Sequence, residues 1–194
     1  MSKIVSEEER ALTKEAIYEK TVQLIRKKGL RAITVDDIVN AVGIGKGSFF
    51  TYYPSKEVCL YEAISQWEKK IFSKIEEIMT SVYSEKDKAV AVLKEIYIAE
   101  DSLMTVINQT DKEILLRKLP AEYREIETGK SENNFQKALQ HMNLNNQQME
   151  VIALLTDCLN LVASNKNFSH SGKKEALDVL INAMADLIVS NECQ

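Results

Sequence analysis

Glycine and proline are scarce in this 194-residue chain, with 6 Gly and 2 Pro. So few leave too little turn material for the many reversals of an all-β fold. Ala, Glu, Lys, Leu, Ile, Gln and Met run through most of the sequence, so the expected fold class is all-α. Cysteine is equally sparse. Cys59, Cys158 and Cys193 form an odd set without close spacing, which excludes a disulfide framework or a Cys-rich zinc site and points to a reducing compartment. Cys158, inside an apolar run, reads as a small buried hydrophobe. No apolar run is long enough to span a bilayer, because Asp, Asn or Lys interrupts the longest ones. The opening MSKIVSEEERALTKEA lacks the apolar stretch and small-residue cleavage site of a signal peptide. A cytoplasmic protein without a membrane partner is expected. There are only two histidines, His141 and His170, and no G-x-S-x-G, P-loop, H-E-x-x-H or C-x-x-C pattern. No catalytic constellation, metal site or cofactor is therefore expected, and the chain does not read as an enzyme.

What is present is an ordinary globular composition, 45% hydrophobic and 28% charged. The net charge of -4 argues at first against a nucleic-acid partner, but its distribution is uneven. Between residues 20 and 56 stand 7 basic residues against 2 acidic ones. A basic segment on an acidic chain suggests one surface for an anionic partner and a second part for something else.

Glycine is also uneven. Gly29, Gly43, Gly45 and Gly47, four of the six, fall close together, and Pro54 follows, which reads as short helices joined by tight turns. Ser6 with Glu9 forms a capping box for a first helix, with Leu12, Ile17, Thr21, Leu24 and Ile25 near one face and Gly29 as a left-handed residue past its end. Thr34 is an N-cap for a second helix, with Asp36 and Asp37 in its positive first turn and Gly43 as its stop. A third helix starts near Gly45 and runs to Pro54, and Ser55 caps a long fourth one. Helix, Gly-containing turn, helix is the spacing of a helix-turn-helix.

Three local conflicts sharpen that reading. Gly45 and Gly47 weaken the start of the third helix by roughly 1 kcal/mol each against Ala, and Lys46 between them puts a cation at the positive helix end. Phe49, Phe50, Tyr52 and Tyr53 crowd four rings into five residues. A helix this short cannot bury them all, so Phe49 and Tyr53 share the core side while Phe50 and Tyr52 point at least partly outward. Lys56, after the Ser55 cap, repeats the charge conflict of Lys46. A phosphate at either helix start would relieve it.

The stretch T-V-D-D-I-V-N-A-V-G-I-G-K-G-S-F-F-T-Y-Y-P-S-K-E, Thr34 to Glu57, resembles the DNA-binding signature of TetR-type transcriptional regulators, and the resemblance extends over about residues 10 to 62. It implies that Thr34 binds a phosphate through its hydroxyl and helix N-terminus. Lys46, Gly47, Ser48 and Thr51 would then face the major groove, Phe50 and Tyr52 flank it, and Lys56 anchors the backbone. Lys46 is the candidate base reader, since Lys donates to guanine O6 and N7. Phe50 stands where the family usually has Tyr, and it has no hydroxyl to donate to a phosphate; Tyr52 still offers one. The expected division is a helix-turn-helix head, residues 1–54, joined to a helical effector-binding and dimerisation domain, residues 55–194.

Helices in the second part are expected at about Glu85–Ile98, Ser102–Gln109, Lys112–Leu119, Ala121–Met142, 146–163 and 172–189. Met149, Ile152, Leu155, Leu159 and Val162 line the penultimate helix, and Leu180, Met184 and Leu187 lie on the stripe of the last. Val151, Leu154, Cys158 and Leu161 widen the first stripe beyond the needs of one core contact, so a second copy is expected there as a two-fold partner. Ile152, Leu155, Leu159, Leu180, Met184 and Leu187 are the residues assigned to this homodimer contact. Tyr97, Met104, Phe135 and Met142 are candidate contacts for a small-molecule effector, a ligand that the resemblance implies. Two heads spaced about one helical turn would read a palindromic operator in double-stranded DNA. The expected function is then a ligand-responsive repressor of transcription. The alternative is a TetR-like coactivator or adaptor working through protein contacts.

Overall fold

The structure is a computed structural model. It describes residues 6–100, 102–104, 106–107, 109–124, 145–165 and 167–190. Among these the regular elements are helices: α1 (Glu7–Lys28), α2 (Val35–Val42), α3 (Lys46–Tyr52), α4 (Lys56–Met79), α5 (Glu85–Tyr97), α6 (Gln109–Lys118), α7 (Asn146–Ser164) and α8 (His170–Val189), with a 3₁₀ turn at Leu30–Ala32. None of the described helices is long and apolar enough to cross a membrane. The chain divides into two compact units, Met1–Lys69 with Gln109–Leu119 and Lys70–Asn108 with Pro120–Gln194. The division falls inside α4, and α6 belongs with the first unit.

In the first unit α1 opens on the capping box expected from its sequence. The Ser6 hydroxyl accepts from the Glu9 amide and the Glu9 carboxylate from the Ser6 amide, both at 3.1 Å. Its buried face carries Ile17, Tyr18, Thr21 and Ile25. Leu12 is exposed instead, because five residues before Ile17 is about 140° around the helix. Gly29 has φ 76° but ψ 158°. Its positive φ suits a residue without a Cβ, yet the backbone leaves α1 extended and not in the left-handed turn expected. Helix α2 does end left-handed, at Gly43 (φ 80°, ψ 32°). The amides of Gly43 and Ile44 both donate to the Val39 carbonyl, at 2.8 and 3.0 Å, which turns the chain sharply into α3. The Ser55 hydroxyl accepts from the Val58 amide at 3.2 Å and starts α4.

In the second unit α8 packs against both α5 and α7. The core between them is built from Leu93 and Tyr97 of α5, Ile152, Leu159 and Ala163 of α7, and Leu177, Ile181 and Met184 of α8. Asn145 and Gln148 form a reciprocal capping box for α7. The Ser169 hydroxyl accepts from the Gly172 amide at 3.1 Å, so α8 starts two residues before the expected Gly172. The expected helix Ser102–Gln109 is not formed over its described N-terminal part. There the Ser102 hydroxyl accepts from the Met104 amide at 3.2 Å and donates to the Ile96 carbonyl, a local turn that competes with helix. Residues 121–124 are helical, and the rest of the expected Ala121–Met142 helix lies outside the described residues.

The six residues assigned to the homodimer contact lie in or against the core of this unit. Ile152, Leu159 and Met184 are buried inside the protomer, and Leu155, Leu180 and Leu187 are partly buried against the same core. Because α8 is packed by both α5 and α7, it absorbs that stripe. What α7 leaves outside is the widened part: Val151, Leu154, Cys158 and Leu161 are exposed, Leu154 by 59% and Leu161 by 68%. Cys158 is therefore a surface residue, not the buried hydrophobe expected. Helix α8 leaves Val179 exposed in the same way.

Candidate nucleic-acid interface

Helix α3 sorts its residues by face. Phe49 and Tyr53, one turn apart, are buried, with their ring centroids 5.7 Å apart. Lys46, Gly47, Ser48, Phe50 and Thr51 are exposed. Phe50 keeps only an edge contact with Phe49, at 5.3 Å and 82°, and is 53% exposed. Tyr52 is half-buried beneath Arg10 of α1, whose guanidinium lies 5.5 Å from the ring centroid. The same guanidinium donates to the Thr51 carbonyl at 3.2 Å, so Arg10 binds the C-terminal end of α3 to α1. Burial raises the Tyr53 hydroxyl pKa well above the usual phenol range, and the ring packs beneath the Lys14 ammonium at 5.6 Å.

At the N-terminal end of α3, Gly45 is the N-cap and supplies no side-chain hydrogen bond. A Cβ added at Gly45 or Gly47 would meet nothing within 4 Å. Internal packing therefore does not demand glycine at either position, and the backbone there is open to an external group.

Several of the residues expected to meet a phosphate have other partners. The Thr34 hydroxyl accepts from the Asp37 amide at 3.1 Å, and the Thr34 amide donates back to the Asp37 carboxylate at 2.9 Å, closing the α2 capping box; the hydroxyl also donates to that carboxylate at 2.9 Å. That occupies the hydroxyl expected to bind phosphate. The Lys28 ammonium beside Asp37, together with the hydrogen bonds from Thr34, holds its carboxyl pKa down to about 2. Lys56 donates to the Ile33 carbonyl at 2.9 Å and lies 3.7 Å from Glu57, so it ties α4 to the chain just before α2. Lys46 pairs with Asp36 at 2.8 Å. Arg31 pairs with Asp111 of α6, a buried carboxylate. Four of the seven basic residues of the segment, Lys28, Arg31, Lys46 and Lys56, thus lie beside an acid within their own unit. Charge counted along the sequence could not reveal this, because the partners are brought in by turns and, for Asp111, from eighty residues away. Arg10 and Asp36 went unassigned for the same reason: no local pattern marks a cation one helix away or an acid across a turn.

The remaining assigned residues lie in the second unit. Tyr97 is buried in its core and donates to Asn160 Oδ1 at 3.1 Å, and burial pushes its pKa up to about 12. Met104 is partly buried against the same core. Phe135 and Met142 lie outside the described residues.

Helices α2 and α3 with the tight turn at Gly43 form a helix-turn-helix whose second helix faces outward, on a chain whose described regular elements are helices. Residues 17–63 match the family model for bacterial regulatory proteins of the tetR family. The chain is 38% identical over 85 residues to an uncharacterized HTH-type transcriptional regulator in the lacX 3' region of Lactococcus lactis subsp. lactis, covering 43% of this chain and 41% of that one. It is 29% identical over 116 residues to the HTH-type transcriptional repressor KstR2 of Rhodococcus jostii (strain RHA1), covering 55% and 57%. The matched segments thus span between about two-fifths and three-fifths of these relatives' length. In fold, the chain matches a transcriptional regulator from Rhodococcus sp. Rha1 with a TM-score of 0.68 at 14% identity, over 91% of this chain and 96% of that one. It matches a regulator from Saccharomonospora viridis, solved in complex with choline, with a TM-score of 0.61 at 14% identity, over 88% and 96%.

Proposed function

We propose that this chain is a sequence-specific DNA-binding regulator that represses transcription from a palindromic operator as a homodimer and is released by a small molecule bound in its second unit. The observation that carries the reading is the outward face of α3. Lys46, Gly47, Ser48, Phe50 and Thr51 stand exposed on a helix whose other face is anchored by Phe49 and Tyr53. Such a face can enter a major groove while the anchored side holds its angle. The unpartnered apolar stripe of α7, with Val179 of α8, suits a two-fold contact with a second copy. Repression and ligand release draw support from the relative named a repressor and the structural neighbour that holds choline.

A second reading is favoured by one observation. Lys28, Arg31 and Lys46 each pair with an acid in their own unit, which lowers the field available to attract phosphates. An adaptor working through protein contacts would show this. Selection of bound sequences from a pool of random duplexes separates the two. A regulator enriches a palindrome, and the logarithm of its affinity falls linearly with the logarithm of salt concentration. An adaptor enriches none. Lys46→Ala is expected to change base preference, whereas Lys56→Ala, by loosening the tether to Ile33, weakens all sites alike.

A further inference from the structure

The two acids that open α2 have different partners. Asp37 closes the Thr34 capping box and takes the Lys28 ammonium. Asp36 is not part of that box, and its carboxylate reaches across the turn to Lys46, the first residue of α3, at 2.8 Å. Both side chains of this pair are more than half exposed, 61% for Asp36 and 58% for Lys46. A pair so open to water contributes little to the stability of the fold. The first turn of α2 favours an acid at Asp36 but makes no demand for Lys46 opposite it, and the pair lies beside the exposed face formed by Gly47, Ser48, Phe50 and Thr51.

On a surface that meets DNA, a carboxylate is repelled by every phosphate whatever the sequence. Only a base edge with a donor can compensate. In the major groove cytosine offers its N4 amino group, which donates to an Asp carboxylate, and its paired guanine offers O6 and N7, which accept from Lys. The two groups of one G·C pair that would be read, O6 and N4, are adjacent. An ammonium and a carboxylate held 2.8 Å apart match that neighbouring acceptor and donor.

Resting on the DNA-binding reading above, we propose that Asp36 is a specificity-determining residue, acting with Lys46 as one donor–acceptor reader of a single G·C pair in each half-site. The same carboxylate lowers affinity for unrelated duplexes, because a phosphate that takes Lys46 leaves Asp36 unpaired beside the negative backbone. Asp36 thus raises discrimination while reducing total affinity.

The test compares full-length wild type, Asp36→Asn and Lys46→Gln in selection from random duplexes. Anisotropy titrations then follow on the recovered site, on that site with one G·C pair replaced, and on a scrambled duplex. Wild type is expected to prefer G·C at one position per half-site by about tenfold. Asp36→Asn is expected to lose most of that preference, bind the scrambled duplex several-fold more tightly and leave the other positions unchanged. In the double variant the two effects should not add. If Asp36→Asn proves unfolded by circular dichroism, Asp36→Ser, also suited to a helix start, replaces it. A recovered site and a specific-to-scrambled ratio identical to wild type in the neutral variant overturn the proposal. Failure of wild type itself to enrich any sequence overturns the DNA-binding reading instead, and is recognised because Lys46→Gln then changes nothing either.

Discussion

Gly47→Ala separates what the fold needs from what a partner needs. Gly47 is the second residue of α3, its φ is not positive, and a Cβ built there meets nothing within 4 Å. Alanine therefore fits the folded chain without strain and restricts the unfolded chain. That stabilises by about 0.4–1 kcal/mol, which in a chain of this size raises the melting temperature by roughly 1–4 °C. If the backbone at Gly47 approaches DNA, the added methyl stands in the way. A tenfold loss of affinity corresponds to about 1.4 kcal/mol, and a loss of at least that order is expected. Gly43→Ala is the matched control. Its Cβ would also meet open space, but φ is 80°, so the left-handed backbone costs about 1–2 kcal/mol. Thermal unfolding by circular dichroism and anisotropy on a selected duplex read the two quantities. A Gly47→Ala protein that melts lower than wild type refutes the stability argument. One that melts higher yet binds DNA as tightly as wild type refutes the assignment of Gly47 to the interface.

Three further outcomes are expected. Leu154→Glu combined with Leu161→Glu places two charges on the exposed α7 stripe and should yield a folded monomer of 22.0 kDa by light scattering. Retention of the dimer would mean that the stripe is not the contact, whereas Ile152→Glu should unfold the second unit. Arg31→Met removes the cation paired with the buried Asp111 carboxylate and should lower stability to denaturant by about 1–3 kcal/mol. An unchanged midpoint would show that the pair carries no net weight. Asp37 titrates near 2 in the folded chain, below the ~3.9 of a free Asp. Its stabilising contribution is therefore complete above pH ~4 and is lost as pH falls toward 2. A carboxyl resonance of Asp37 that titrates near 4 would contradict the contacts described for it.

Much of the fold was legible because its signals are local. The capping box at Ser6, Gly43 as the stop of α2 and the division of Phe49 and Tyr53 from Phe50 follow from spacing along one helix. The outward face of α3 was legible for the same reason. Less could be read wherever two elements meet. The apolar residues of α7 were seen to exceed one core contact, but which of them face inward depends on where α8 lies. The stripe of Ile152 and Leu159 went to the interior, and Leu154 and Leu161 remained outside.

The same limit governs charge. By itself the sequence determined an all-helical chain with a helix-turn-helix head, because helix propensity, capping and glycine placement act over a few residues. It also showed which residue types stand on the head. Tertiary structure alone decided what those residues do there. Lys56 became a tether to Ile33, Arg31 the partner of Asp111, and Lys46 the partner of Asp36. Ion pairs and hydrogen bonds depend on distances of a few ångströms between groups far apart in the chain, and those distances exist only once the helices have packed.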